Sequence, residues 1–161
     1  MTSSTPQRVL SFDVRVCRFG FAIFEGPYEL LDWGVKSFRH GVNAVKVPPS
    51  EKLASLLSEF RPHVVVVEKA PPRENSWLVQ TVIRLARNQN VPIRLVSRAA
   101  VRKRFAGQGQ DKHAIAMVLS TRFPELADRL PPKRKPWQSE DYRMSIFDAA
   151  ALGLTHFDRQ S

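Results

Sequence analysis

Val64-Val65-Val66-Val67-Glu68 runs four apolar residues into a single acid. A strand without polar alternation is covered on both faces, so this segment belongs in the middle of a sheet with helices on each side. The acid at its end is the informative position. An ionised carboxylate that closes an apolar strand costs on the order of several kcal/mol to desolvate unless something positive meets it. Two further acids have the same setting: Asp13 follows Val9-Leu10-Ser11-Phe12, and Asp148 lies within Ile146-Phe147-Asp148-Ala149-Ala150-Ala151-Leu152. A divalent cation would satisfy all three.

Working outward, Arg8 to Val14 is a short apolar run, and Phe19 to Phe24 resumes after a turn centred on Arg15 to Arg18, which predicts a hairpin. Glu25-Gly26-Pro27 is turn chemistry, and Tyr28 to Phe38 reads as a third strand with Trp33 in the sheet core. Ser50 caps a helix whose Leu53, Leu56, Leu57 and Phe60 share one face, and Pro62 ends it. Asn75 to Asn88 reads as a helix and Val91 to Val96 as another buried strand. A short helix follows from about Ser97, then a turn at Gly107-Gln108-Gly109, a helix from about Asp111 to Arg122 and a last helix from about Glu140 to Phe157. Leu130-Pro131-Pro132-Lys133-Arg134-Lys135-Pro136 is a loop. The order is βββαβαβ followed by helices, predicting an α/β fold with a mixed five-stranded sheet, three antiparallel strands then two parallel, flanked by helices. Residues 1–161 read as one domain, since 43% of the chain is hydrophobic and its length suits a single core.

A formal charge of +10 and a pI near 10.5 suit a polyanionic partner. No apolar run approaches the roughly 20 residues that span a membrane. Met1-Thr2-Ser3-Ser4-Thr5-Pro6 lacks the apolar region of a signal peptide, so a cytoplasmic location is expected. Cys17 is the single cysteine, excluding an internal disulfide and a cysteine zinc cluster.

These motifs resemble the RuvC-type Holliday junction resolvases, a branch of the ribonuclease H-like nucleases, from Val9 to His156. The resemblance is carried by Asp13 on its strand, then Arg18-Phe19-Gly20-Phe21-Ala22, then Val64 to Glu68 with Asn75 beyond it. It continues through the basic helix and glycine turn Val101 to Gly109, Lys112 with Met117-Val118, and Asp148-Ala149-Ala150-Ala151-Leu152 through Thr155-His156. It implies a ribonuclease H-like fold, a homodimer and four-way junction DNA as substrate. Two departures stand out. Ser145 occupies the place, one helical turn before the last aspartate, where the family usually carries a second acid, and Val14-Arg15 replaces its common Pro-Gly.

The expected chemistry is phosphodiester hydrolysis by two divalent ions, about 3.5 to 4 Å apart, which activate water and stabilise the leaving oxygen. Hard carboxylate oxygens suit Mg²⁺, with Mn²⁺ able to substitute. Asp13 is the candidate bridging ligand, Glu68 would serve one ion and Asp148 the other. Asp141, seven residues before Asp148, is the candidate substitute for the missing acid, nearly on the same helix face though about 10 Å away along the axis. Its alternative role is an N-terminal helix acid beside Glu140.

From Arg98 to Lys135 ten basic residues face three acidic ones, which places most of the net charge there. The resemblance assigns Lys112 to the scissile phosphate and Arg102 to a second basic position. Lys103, Arg104, Lys133, Arg134 and Lys135 are candidate phosphate contacts that do not read sequence. Trp77 reads as core packing rather than base stacking, and Trp137 as a loop anchor. His113 and His156 lack zinc-ligand spacing. A nuclease processing structured ribosomal RNA precursors and a non-cleaving nucleic-acid-binding module with a decayed metal site are the competing readings.

Overall fold

The structure is a computed structural model that describes residues 5–38, 49–69, 77–109 and 111–159. Asn75 lies outside them. Strands β1 (Arg8–Val14), β2 (Arg18–Glu25), β3 (Leu30–Ser37), β4 (Val64–Lys69) and β5 (Ile93–Ser97) form one sheet in the order β3-β2-β1-β4-β5. β1 and β2 pair antiparallel, as do β2 and β3, whereas β1, β4 and β5 run parallel. The mixed sheet expected from the sequence is present.

The parallel pairs fix the chemistry-bearing positions. Phe12 is opposite Val67, so Asp13 and Glu68 are each one residue beyond that pair, at the same end of adjacent strands. Side chains alternate along a strand. Val9, Val64, Val66 and Val96 enter the core on one face; Leu10, Phe12, Val14, Val65 and Val67 enter the core on the other. By that alternation Asp13 and Glu68 share the first face, with Ser11 between Val9 and Asp13.

Helices α1 (Pro49–Phe60) and α2 (Trp77–Asn88) cover the second face through Leu53, Leu57, Leu78 and Val82. On the first face lie α3 (Arg98–Arg104), α4 (Lys112–Arg122), a 3₁₀ turn (Pro124–Arg129) and α5 (Met144–Arg159). Every residue of α5 from Met144 to His156 is buried, so this helix is enclosed between the sheet and its neighbouring helices. Glycine lets it approach closely. A Cβ on Gly20 would stand 2.3 Å from the Ser145 carbonyl oxygen, and one on Gly153 would stand 2.4 Å from the Phe24 ring. Gly20 is the register partner of Asp13, so α5 packs tightly on the sheet beside that acid.

Three expectations are corrected. The last helix begins at Met144 rather than near Glu140, because residues 142–143 form a turn into it. β5 is half-exposed rather than buried: it is the outermost strand, has one neighbour, and leaves Arg94 and Leu95 exposed. Trp77, at the start of α2, is 45% exposed and is not a core residue.

Candidate functional site

Asp13 ends the polar edge of β1 and has no exposed surface. Its Oδ2 accepts a hydrogen bond of 3.0 Å from Arg15 Nε. Its Oδ1 is buried without a hydrogen-bond partner among the described residues. An unmet buried acceptor costs about 1 to 3 kcal/mol, and more when charged.

Asp148 reaches the same point from α5 and is 4% exposed. Its Oδ2 accepts from Arg15 Nη2 at 3.0 Å and from Lys112 Nζ at 3.1 Å, while Arg98 Nη1 lies 3.8 Å from its Oδ1. Burial, reinforced by the charge of Asp13, pushes its carboxyl up to about 6 despite Lys112 and Arg98. Arg98 is the first residue of α3. Its Nε lies 3.3 Å from Glu68 Oε1, so one guanidinium links the end of β4 to α5. Asp13, Glu68 and Asp148 are thereby brought together through shared basic partners.

Lys112 opens α4, whose N-cap Asp111 accepts from the Ala114 amide at 2.8 Å. The capped start aims the lysine at two acids, because its Nζ also donates to Glu140 Oε2 at 3.2 Å. Arg15 Nη2 is 3.6 Å from Glu140 Oε1. Burial alone would raise the Glu140 carboxyl, but Lys112 and Arg15 outweigh it and hold it below the usual range.

Asp141 is not brought to the cluster. Its carboxylate accepts from the Arg143 amide at 2.9 Å, from Nε at 3.0 Å and from Nη2 at 2.8 Å, and the Arg143 hydrogen bond lowers its carboxyl. It lies before the start of α5, so the shared-face argument from seven-residue spacing fails. Glu140 is the acid that joins instead. Ser145 is fully buried against Gly20, and its Oγ has no hydrogen-bond partner among the described residues.

The basic residues divide. Lys112, Lys133 and Arg134 line a cleft of about 290 Å³ with Glu140 and Asp141, and His113 Nε2 fixes the loop to α4 through the Pro131 carbonyl at 3.2 Å. Lys133, Arg134 and Lys135 are exposed, as are Arg102 and Lys103 on α3. Arg104 is paired with Asp158 and stacks on Phe105, so its guanidinium is engaged within the protein. Asp158 lies ten residues beyond Asp148, about 15 Å along α5. Trp137, on the loop before α5, is 78% exposed, with Lys135 Nζ 5.5 Å from its ring centre.

Sequence reasoning missed Arg15, Arg98 and Glu140 as members of the cluster. Weak signals existed: Arg15 is two residues beyond Asp13, and Arg98 follows the strand beside the one that ends in Glu68.

The donor set suits a hard divalent cation, and the orphaned Asp13 Oδ1 is a ready ligand. Asp13, Glu68, Glu140 and Asp148 are met by Arg15, Arg98 and Lys112, and Arg18 adds its charge near Glu140. Among the described residues, however, no three His, Cys, Asp or Glu side chains close to metal-holding distances. Basic side chains stand between the carboxylates and hold them.

No protein-family model matches the chain, and no curated protein does. Solved structures match over nearly the whole length. Thermus thermophilus RuvC in complex with a Holliday junction substrate superposes with a TM-score of 0.67 at 18% identity, covering 96% of each chain. A second T. thermophilus RuvC structure gives 0.64 at 21% identity, again covering 96% of each. The fowlpox virus resolvase in complex with Holliday junction DNA gives 0.60 at 14% identity, covering 94% of this chain and 99% of that one. With the strand order and the central helix, these likenesses establish that the chain has the RuvC-type, ribonuclease H-like fold.

Proposed function

We propose that the chain is a metal-dependent, structure-selective endonuclease that nicks branched DNA and resolves four-way junctions. One observation carries this reading: Asp13, Glu68 and Asp148, from β1, β4 and α5, share the basic partners Arg15 and Arg98 in a fold common to proteins solved on Holliday junctions. Divalent ions, Mg²⁺ or Mn²⁺, would supply the activated water and the charge stabilisation that phosphodiester hydrolysis needs. Asp13, Glu68 and Asp148 would hold them. Lys112 would leave Asp148 for the scissile phosphate and offset charge developing there. Arg102, Lys103, Lys133, Arg134 and Lys135, all exposed, would hold the flanking phosphates without reading bases. A twofold symmetric junction cut on both sides asks for a twofold homodimer.

A second reading, a nucleic-acid-binding module that does not cleave, is favoured by the absence of a closed metal-ligand group among the described residues. One experiment separates the two. Labelled four-way junction, linear duplex and structured RNA are incubated with the purified protein in Mg²⁺, Mn²⁺ or EDTA. Paired nicks in the junction that depend on metal are expected. Binding without cleavage would establish the second reading, and cleavage of RNA alone would assign the site to RNA processing.

A further inference from the structure

Arg15 is a residue whose position the two-metal reading does not explain. It opens the turn between β1 and β2, where its amide donates to the Arg18 carbonyl at 2.8 Å. Its side chain folds back over the strand end instead of extending into solvent, and 18% of it is exposed. Nε meets Asp13 Oδ2 and Nη2 meets Asp148 Oδ2, each at 3.0 Å, and Nη2 lies 3.6 Å from Glu140 Oε1. A single guanidinium thus ties together acids from β1, from α5 and from the segment leading into α5. Arginine suits the task because its planar fork has five donors and keeps its charge when partly buried. Burial alone would lower its proton affinity, but Asp13, Asp148 and Glu140 raise it above the ordinary value.

The geometry points to Arg15 as the resident counter-cation of this cluster, a positioning residue that holds Asp13 and Asp148 together without metal and competes with divalent metal for the same two oxygens. This rests on the metal-site reading above. Asp13 Oδ2 and Asp148 Oδ2 are the atoms engaged by Arg15, whereas Asp13 Oδ1 has no partner among the described residues. A first cation therefore has one prepared ligand atom, and full occupancy requires the guanidinium to leave. The released side chain remains beside the site, where a phosphodiester oxygen is a natural acceptor for a charged donor. Arg15 would in this way set the metal concentration at which the site fills.

The test uses Mn²⁺ alone, without nucleic acid, titrated into the full chain while free Mn²⁺ is followed by electron paramagnetic resonance. Arg15→Gln should bind Mn²⁺ at least about tenfold more tightly than wild type, because a like charge in contact with the site has gone. Arg15→Lys, which keeps the charge, should stay within about threefold of wild type on the same argument. Asp13→Asn serves as the control for the underlying reading. If Asp13→Asn abolishes binding but Arg15→Gln binds no more tightly than wild type, the competition is wrong and the metal site stands. If Asp13→Asn binds as tightly as wild type, the metal site is wrong and the competition falls with it. A second measurement needs no folded Arg15→Gln: the Arg15 Nε–H resonance, assigned by its loss in Arg15→Lys, should move to a solvent-exposed position as Mg²⁺ saturates. A resonance unmoved at saturating Mg²⁺ would overturn the inference.

Discussion

The two faces of the sheet come from the same strands, yet they bury different chemistry. On β1, Leu10, Phe12 and Val14 enter the core beneath α1 and α2. Thr81 is the buried polar residue there among those described, and its hydroxyl donates to the Trp77 carbonyl at 2.7 Å. The opposite face buries Ser11, Asp13, Ser145, Asp148, Thr155 and His156. Along α5 those groups are not met equally. Thr155 Oγ1 donates to the Ala151 carbonyl at 2.7 Å, His156 Nε2 is 3.1 Å from Gln7 Oε1, and Ser11 Oγ donates to the Ala149 carbonyl at 2.7 Å. Near the helix start, Asp13 Oδ1 and Ser145 Oγ have no such partner among the described residues. Unmet buried polar atoms are rare enough that each calls for a reason. Both faces bury an apolar core, whereas the unmet Asp13 Oδ1 and Ser145 Oγ lie on the α5 face, where the parallel strands end.

That contrast can be broken on either side. The largest effect is expected from Asp13→Asn, which should lower junction cleavage about 10³-fold or more, the scale of losing a charge-stabilising group. Junction affinity, measured in EDTA, should stay near wild type. On the apolar face, Leu57→Ala should cost about 2 to 5 kcal/mol in urea unfolding. Cleavage per folded molecule should be unchanged, and a parallel loss of turnover would erase the division between the faces. Gly20→Ala probes their junction: its Cβ would press on Ser145, so α5 must shift. We expect a stability loss of about 1 to 3 kcal/mol from overpacking, with a fall in cleavage that exceeds the fall in binding. The smallest and sharpest contrast is between neighbours. Glu140→Gln should change cleavage about tenfold through its contacts with Lys112 and Arg15, an effect of roughly 1.4 kcal/mol, and Asp141→Asn should leave turnover within twofold (~0.4 kcal/mol). Equal effects from the two would mean that contact with the cluster does not decide which acid matters.

Much of the fold was legible because it depends on period and position. The valine run of β4, the apolar face of α1 and the strand order each have a signature in the chain, and the meeting of Asp13 with Glu68 follows from alternation on adjacent parallel strands. The partners of those acids were less legible: Arg15 reaches the cluster from a turn and Arg98 from a helix start, with no motif to mark either, whereas Lys112 was expected near the acids from the resemblance. Glu140 and Asp141 show the limit most clearly. They are adjacent and chemically alike, and their fates diverge because Arg143, two residues on, captures one while Lys112, twenty-eight residues away, captures the other. Periodicity extended the last helix past its true start because the polar residues before Met144 fit either a helix surface or a turn. The exposure of β5 depended on which strand lay outermost, a property of the assembled sheet.

The proposed cation-binding centre joins three carboxylates from distant segments. Its most direct test is the melting temperature of the metal-free protein as Mn²⁺ is added, since a ligand that binds only the folded state raises it by mass action. A rise is expected in wild type, with its loss in each of Asp13→Asn, Glu68→Gln and Asp148→Asn. A rise of the same size in all three variants, or none in wild type, would contradict it.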